Sequence, residues 1–244
     1  RVLVLGATGG VGRGVVAELL RRGEAVRGAS RDPVRAGTSG PPGVEWVRFD
    51  LERPQTFGAA LSGVDRVFLV ARPGDEAPER AAEPLLEEAR RSGVIRVVAL
   101  TAMGVERRED FGLRRVERLV ESSGLEYTHL RPNWFMQVFS TGPLALAIRS
   151  TGEIRLPLAD ARISYIDTRD IAAVGAAVLV EPGHSGRAYT LTGEEALDTE
   201  AVAGAIAGAA GRPVRYRPIG EEEARAAIVS AGLSAERAER LVGF

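Results

Sequence analysis

The chain has 244 residues, 45% hydrophobic and 27% charged, with 32 basic against 33 acidic side chains; this suits one large globular domain or a domain plus an appendage, and excludes disorder and collagen-like structure. All 32 basic residues are Arg and there is no Cys, which rules out Schiff-base lysines, a GK[ST] phosphate loop, a Tyr-x-x-x-Lys proton-donating pair, thiolate nucleophiles, disulfides and Cys-held metals. The two signs are scattered along the chain, and no apolar run approaches the ~20 residues needed to span a bilayer, so neither nucleic acid nor a membrane is an expected partner.

Val2-Leu3-Val4-Leu5 is a continuous apolar run ending in Gly6, the pattern of a strand covered on both faces. A chain that opens on a buried strand shows no signal peptide, and a cytoplasmic location is expected. Arg1 in place of an initiator Met, and the ending Val242-Gly243-Phe244, lead us to expect a native chain longer at both ends. Val11, Val15, Val16, Leu19 and Leu20 then recur at helical spacing until Gly23 stops the helix. Strands are predicted at 25–29, 44–49, 66–71, 95–101 and 126–130. A helix over 79–92 places Leu85, Leu86 and Ala89 on one face, and a helix over 110–123 does the same with Leu113, Val116 and Val120. This alternation predicts an α/β fold, a Rossmann-type doubly wound parallel sheet with right-handed crossovers. From about Pro132 the rhythm changes to a strand at 162–166, a helix at 170–180, a strand at 187–191, a helix at 199–211 and a strand at 214–218. The expected organisation is a dinucleotide-binding domain over 1–132 and a smaller α/β substrate region over 133–244, interleaved with the last elements of the main sheet.

Between the first strand and first helix, Gly6-Ala7-Thr8-Gly9-Gly10-Val11-Gly12 spaces glycines as G-x-x-G-x-x-G. Gly6 permits the tight turn, Gly9 lets the backbone approach a pyrophosphate, and Gly12 lets the helix pack closely, while the helix N-terminus stabilises phosphate charge. The strand before and the amphipathic helix after it are the context that gives the pattern meaning. NAD-binding proteins usually carry an acidic residue at the end of the second strand; here Ser30 stands there and Arg31 follows. A hydroxyl beside a guanidinium suits a 2′-phosphate, and Arg13 is placed to reach the same group, so NADP(H) is favoured over NAD(H). Asp32 keeps the alternative open, since a carboxylate on the ribose would favour NAD(H). After the third strand, Asp50 is a candidate acceptor for the adenine amino group and Leu51 a candidate packing partner for the ring; a turn Asp at the surface is the competing reading. Val70-Ala71-Arg72 and Thr101-Ala102 follow the fourth and fifth strands, where parallel sheets form their ligand crevice, and both should line the nicotinamide half.

With these motifs, and with Ser123-Gly124-Leu125-Glu126-Tyr127-Thr128-His129-Leu130-Arg131-Pro132 followed by Asn133-Trp134-Phe135-Met136-Gln137, Asp167-Thr168-Arg169-Asp170-Ile171-Ala172 and Tyr189-Thr190-Leu191-Thr192-Gly193, the chain resembles the NmrA-like branch of the atypical short-chain dehydrogenase/reductases over essentially its whole length. Within that branch, Gly152-Glu153-Ile154-Arg155-Leu156-Pro157 and Arg162-Ile163-Ser164-Tyr165-Ile166-Asp167 look most like bacterial relatives of the ergot-alkaloid iminium reductases of agroclavine dehydrogenase type. The resemblance implies an NAD(P)(H) site with the nicotinamide near Thr101 and the loop Arg131-Pro132-Asn133-Trp134-Phe135. It also exposes a departure. Standard relatives carry Tyr and, four residues on, Lys in the helix after the fifth strand; aligned on Glu117-Arg118-Leu119, this chain has Glu109 and Leu113 there.

Two functions are compatible with that departure. One is an NAD(P)H-dependent oxidoreductase whose acceptor is a flat, hydrophobic or aromatic small molecule, an iminium, quinone or enone that needs little enzymic proton donation. The other is a cofactor-binding sensor in which NADP(H) shifts a conformation without chemistry. For the first, Trp134, Phe135, Met136 and Phe139 offer an apolar, aromatic wall, with core packing as the alternative for each. Thr101 and Tyr165 are the candidate catalytic residues, although Tyr165 alternates with Ile163 as strand core residues would. His129 reads as a core histidine and His184 as a surface one, so no metal site is expected. Glu109 could act as an acid if burial raised its pKa, but among Arg107, Arg108 and Asp110 it reads as part of a solvated charge cluster. A monomer or homodimer is expected.

Overall fold

The computed structural model describes residues 1–72, 74–230 and 235. In chain order its elements are β1 (Val2–Val4), α1 (Gly10–Arg21), β2 (Val26–Ser30), α2 (Pro33–Ser39), β3 (Val44–Arg48), α3 (Phe57–Leu61), β4 (Arg66–Val70), α4 (Glu79–Arg91), β5 (Arg96–Leu100), α5 (Gly112–Ser122), β6 (Glu126–Pro132), α6 (Gly142–Thr151), β7 (Glu153–Leu156), α7 (Thr168–Val180), β8 (Arg187–Leu191), α8 (Thr199–Ala210), β9 (Arg215–Pro218) and α9 (Glu221–Ser230). They fall into two compact units, the first formed by Arg1–Asn133 and Ile166–Thr192, the second by Trp134–Tyr165 and the described residues from Gly193 onward.

The first unit is built on a seven-stranded sheet ordered β3-β2-β1-β4-β5-β6-β8, and all its pairings are parallel. Strands in such a sheet are covered on both faces, which is why β1, and β4 and β5 after their first residues Arg66 and Arg96, read as apolar runs. On one face Leu3, Leu5, Val67, Leu69, Val97 and Ala99 pack against Phe57, Leu61, Leu85, Leu86, Val116 and Val120 from α3, α4 and α5. Each such side chain fully withdrawn from water stabilises the fold by roughly 1.5–3 kcal/mol. On the other face α1 and α7 pack together, and a Cβ added at Gly14 would lie 2.7 Å from the Ala172 methyl. β1 lies between β2 and β4, so the strand order reverses there, the point at which doubly wound sheets open a crevice at their carboxyl edge. The α/β fold with a parallel doubly wound sheet is therefore observed.

Helix α5 departs from its expected face. Arg114 and Glu117 are buried along with Val116 and Val120, while Leu113 is only half-buried. No helix among the described residues is long and apolar enough to cross a membrane.

In the second unit, β7 and β9 pair in parallel, and Ile148, Ile154, Tyr165, Val202, Ala203 and Val214 form the core, with Trp134 and Phe139 packed against it. The strand expected at 162–166 is not formed. Ile163 pairs in a single antiparallel bridge with Leu197 that carries reciprocal N–H···O bonds of 2.9 and 3.0 Å, and Ile166 is a separate isolated bridge residue. Tyr165 and Ile166 are buried in succession, whereas a half-buried strand would alternate, and Asp167 already caps α7 by accepting from the Arg169 N–H.

Candidate active site at the carboxyl edge of the sheet

Because β3, β2, β1, β4 and β5 are adjacent and parallel, the segments that follow them emerge on one edge. The structure thereby brings together Asp50-Leu51, Ser30-Arg31, the loop Gly6 to Arg13, Val70-Ala71-Arg72 and Thr101-Ala102. Gly6 has φ +62°, a conformation that favours glycine, and the Gly9 N–H donates to its carbonyl at 2.8 Å. A Cβ at Gly12 would stand 2.6 Å from the Gly6 carbonyl carbon, so helix and turn are in contact there; a Cβ at Gly6 would meet Val70, and one at Gly10 would meet nothing within 4 Å. α1 starts behind Gly9 with no side-chain cap and no acidic residue in its first turn. Thr8, Gly9, Gly10 and Arg13 are exposed and Val11 is buried. An exposed, uncapped helix start behind a glycine turn fits a pyrophosphate, whose charge the first-turn amides and the helix dipole stabilise.

The residues after β2 divide their roles. Ser30 Oγ accepts from the Asp32 N–H at 3.1 Å, and the Asp32 carboxylate caps α2 by accepting from the Arg35 N–H at 3.1 Å. Arg31 is exposed and has no ion pair among the described residues; the Arg13 guanidinium makes a 3.5 Å contact to the Thr8 carbonyl. The Asp50 carboxylate accepts from the Glu52 N–H at 3.1 Å and lies 3.7 Å from Arg53, which ties it to its own turn. Leu51 packs against the core beneath. Arg72 pairs with Glu52.

At the end of β5, the Thr101 N–H donates to the Leu130 carbonyl at 2.8 Å, and Thr101 Oγ1 donates to Glu117 Oε1, also at 2.8 Å. Glu117 is fully buried and accepts from Arg131 Nε and Nη2 at 2.9 Å each and from Arg114 Nη1 at 2.7 Å. Burial alone pushes its carboxyl up, but the bonds from Arg131, Thr101 and Arg114 outweigh that and hold it below the usual carboxylate range. Arg114 Nη1 also reaches Glu121 at 2.9 Å. His129 lies beside this cluster, 3.4 Å from Glu121, and burial holds its imidazole below its ordinary value. Glu117, Glu121 and His129 place one potential metal-ligand atom each within 4.8 Å of one another, yet the Arg114 guanidinium already lies against both carboxylates. Sequence reasoning missed this cluster: Glu117 falls on the apolar stripe of α5, i+4 from Leu113 and i−3 from Val120, but it served only to align the chain and was given no role of its own. Glu109 is exposed, and hydrogen bonds from Arg118 and Arg114 hold its carboxyl below the usual range.

Pro132 ends β6, and the Asn133 N–H just after it donates to the Leu191 carbonyl at 2.8 Å. Trp134, Phe135 and Tyr165 belong to the second unit. There Tyr165 meets Trp134 and Phe139 edge-on, with centroids at 6.5 and 5.1 Å. Its hydroxyl is buried without a hydrogen-bond partner among the described residues, and burial pushes its pKa up to about 12.

Residues 6–182 match the model of the NAD(P)H-binding family. The chain belongs to that family. It is 37% identical over 98% of its length to an NAD(P)H azoreductase of Xenophilus azovorans, of which it covers 84%. It is 32% identical over 95% of its length to agroclavine dehydrogenase of Claviceps fusiformis, covering 82% of that protein. The crystal structure of an NADPH-dependent quinone oxidoreductase of Escherichia coli, complexed with NADPH, superposes with a TM-score of 0.85 at 23% identity, covering 99% of this chain and 87% of that one. The NmrA-like, atypical short-chain reductase assignment holds, and the protein is an NAD(P)H-dependent oxidoreductase of that family.

Proposed function

We propose that the protein is an NADPH-dependent reductase that delivers hydride to a flat conjugated acceptor of the quinone, azo, enone or iminium class without a Tyr/Lys proton relay. The observation that carries the cofactor preference is Asp32: its carboxylate is committed to capping α2, which leaves exposed Arg31, with Arg13, to make charge-assisted bonds to a 2′-phosphate. Gly6, Thr8, Gly9, Gly10, Val11 and Gly12 hold the pyrophosphate, Asp50 and Leu51 border the adenine, and Val70, Ala71, Arg72, Thr101, Ala102, Pro132 and Asn133 border the nicotinamide nucleoside. Bound reduced nicotinamide supplies the hydride.

The positions of the missing relay support the second half of the reading. Leu113 has no ionisable group, and Glu109 is held ionised by two arginines, so neither replaces the acid. An iminium is neutralised by hydride alone; a quinone, azo compound or enone takes hydride and one proton, which water supplies. Trp134, Phe135 and Tyr165 are the residues we assign to the acceptor, the first two as aromatic surface and the Tyr165 hydroxyl as a hydrogen-bond donor that keeps its proton at working pH. A cytoplasmic setting, where NADPH is available, completes the reading. Two relatives that reduce azo compounds and quinones support the acceptor class.

The test follows NADPH consumption by absorbance with a panel of quinones, azo dyes, enones and cyclic imines, compared with NADH. Turnover that disappears in Trp134→Ala supports the assignment. Tight NADPH binding with no turnover across the panel refutes it.

A further inference from the structure

Thr101 sits at the carboxyl edge with its hydroxyl turned toward two protein atoms, Glu117 Oε1 at 2.8 Å and the Leu130 carbonyl oxygen at 3.3 Å. Both are acceptors. A hydroxyl has one proton and two lone pairs, so the Thr101 proton is committed to the interior. Glu117 cannot return a proton, because its two oxygens already receive Thr101 Oγ1, Arg131 Nε, Arg131 Nη2 and Arg114 Nη1, one donor for each of the roughly four lone-pair sites of a carboxylate. A protonated Glu117 would set its own O–H against one of those donors. Only the lone pairs of Thr101 remain for a ligand.

A buried carboxylate held by two arginines is costly to desolvate, and a well-packed apolar group in its place is often as stable or more so. Packing alone therefore gives little reason for Glu117 at this position. Its bond to Thr101 gives one. We propose that Glu117 is a positioning residue that fixes Thr101 as a hydrogen-bond acceptor toward the bound dinucleotide, so that Thr101 receives an O–H or N–H from the nicotinamide nucleoside and does not protonate the acceptor. This deepens the reductase reading and rests on it. Arg131 and Arg114 act one step further back, keeping Glu117 ionised and its oxygens fixed.

The experiment titrates NADPH by its fluorescence, without acceptor, into the wild type and into Thr101→Ser, Thr101→Val and Glu117→Gln, and then measures kcat at saturating NADPH. Thr101→Val is expected to weaken NADPH binding by about tenfold, the worth of one hydrogen bond, while Thr101→Ser restores it and kcat keeps its wild-type solvent isotope effect and pH profile. Glu117→Gln is expected to weaken binding similarly, and adding Thr101→Val to it to cost little more. The acetylpyridine analogue of NADPH, which lacks the amide N–H, separates the two donors. If the amide is the donor, only proteins that retain a hydroxyl at 101 discriminate against the analogue; if a ribose hydroxyl is, Thr101→Val weakens both cofactors equally. Both results support the acceptor role. Unchanged NADPH affinity in Thr101→Val with kcat lower by about a hundredfold or more, the mark of a lost proton donor, overturns it. So does Glu117→Gln that binds like the wild type while Thr101→Val does not. A wild type that binds no NADPH fails differently, since it removes the reductase reading itself.

Discussion

Replacing Gly12 by Ala tests whether the glycine loop is shaped by contact between turn and helix or only by the needs of a ligand. The added methyl would lie 2.6 Å from the Gly6 carbonyl carbon and 3.1 Å from the Ala7 nitrogen, where unstrained contacts between carbons are ~3.5–4.0 Å. Both neighbours are backbone, so no rotamer change relieves the clash and α1 must move off the turn by about 1 Å. Overpacking of this kind costs about 3 kcal/mol, and the better helix propensity of Ala returns about 1 kcal/mol, leaving a net loss of about 2 kcal/mol. Gly10→Ala is the control: it adds the same methyl two residues earlier, where nothing lies within 4 Å, and should stabilise by up to about 1 kcal/mol. The two variants then differ by about 3 kcal/mol, or roughly 6–12 °C in melting temperature for a protein of this size. Thermal unfolding without cofactor measures it. Melting temperatures within about 2 °C of each other would refute the contact, and any cofactor defect of Gly12→Ala would then belong to ligand approach alone.

Arg31→Ala should weaken NADPH by roughly 10- to 100-fold, the range for a hydrogen bond to a charged group, and leave NADH unchanged; equal losses for both cofactors would remove Arg31 from the 2′-phosphate. Asp32→Ala should cost about 1 kcal/mol of stability through the lost cap of α2 while keeping the preference for NADPH, and weakened NADH binding would instead assign Asp32 to the ribose. Glu117→Ala should cost about 3–5 kcal/mol, because buried Arg114 and partly buried Arg131 would be left without their shared carboxylate; urea unfolding of the variant checks this. For His129, burial holds the folded imidazole below its ordinary 6.5, so the unfolded chain takes up a proton first as pH falls. Stability should therefore decline as pH drops below 6.5 and level off once the folded imidazole is protonated, and His129→Gln should flatten the melting temperature across that window. Glu117, held below 4.5, adds its own loss only at lower pH, so the two contributions separate.

What could be read from the sequence follows from the range of the interactions involved. β1, β4 and β5 were legible because the stretches of a strand buried on both faces must be apolar, and the glycine turn because positive φ and close backbone approach are local demands. The run 162–166 imitated a strand through Ile163 and Tyr165, but a strand needs a neighbour along its length, and Ile163 finds one only at Leu197. Asp32-Pro33 carried a cap signal for α2, an acidic N-cap followed by Pro at the first helical position, that competed with its reading as a ribose ligand. The cluster around Glu117 was out of reach because its members come from β5, α5 and β6, and nothing local in the chain says that Thr101 and Arg131 meet on one side chain. Its one sequence signal was positional: a Glu on the apolar stripe of an amphipathic helix requires partners, and the arginines nearest in sequence supply only one of the two that grip it.

The absence of Lys bears on chemistry through that same cluster. Arg131 grips Glu117 with two parallel N–H···O bonds, a fork that an ammonium cannot form, and Arg114 bridges Glu117 and Glu121 through one nitrogen. Arginine does not give up its proton in proteins, and the arginines in turn keep Glu117 and Glu109 ionised. The charged groups behind Thr101 thus keep their protonation states across neutral pH, and buried His129 is neutral there. A lysine in the same place would bring a group whose pKa shifts readily on burial, as a proton relay requires. An arginine cluster brings fixed geometry and fixed charge, which suit holding a hydroxyl in one orientation and do not suit passing a proton. On the proposed reading, the proton that accompanies hydride comes from water, and the pH dependence of turnover belongs to the acceptor.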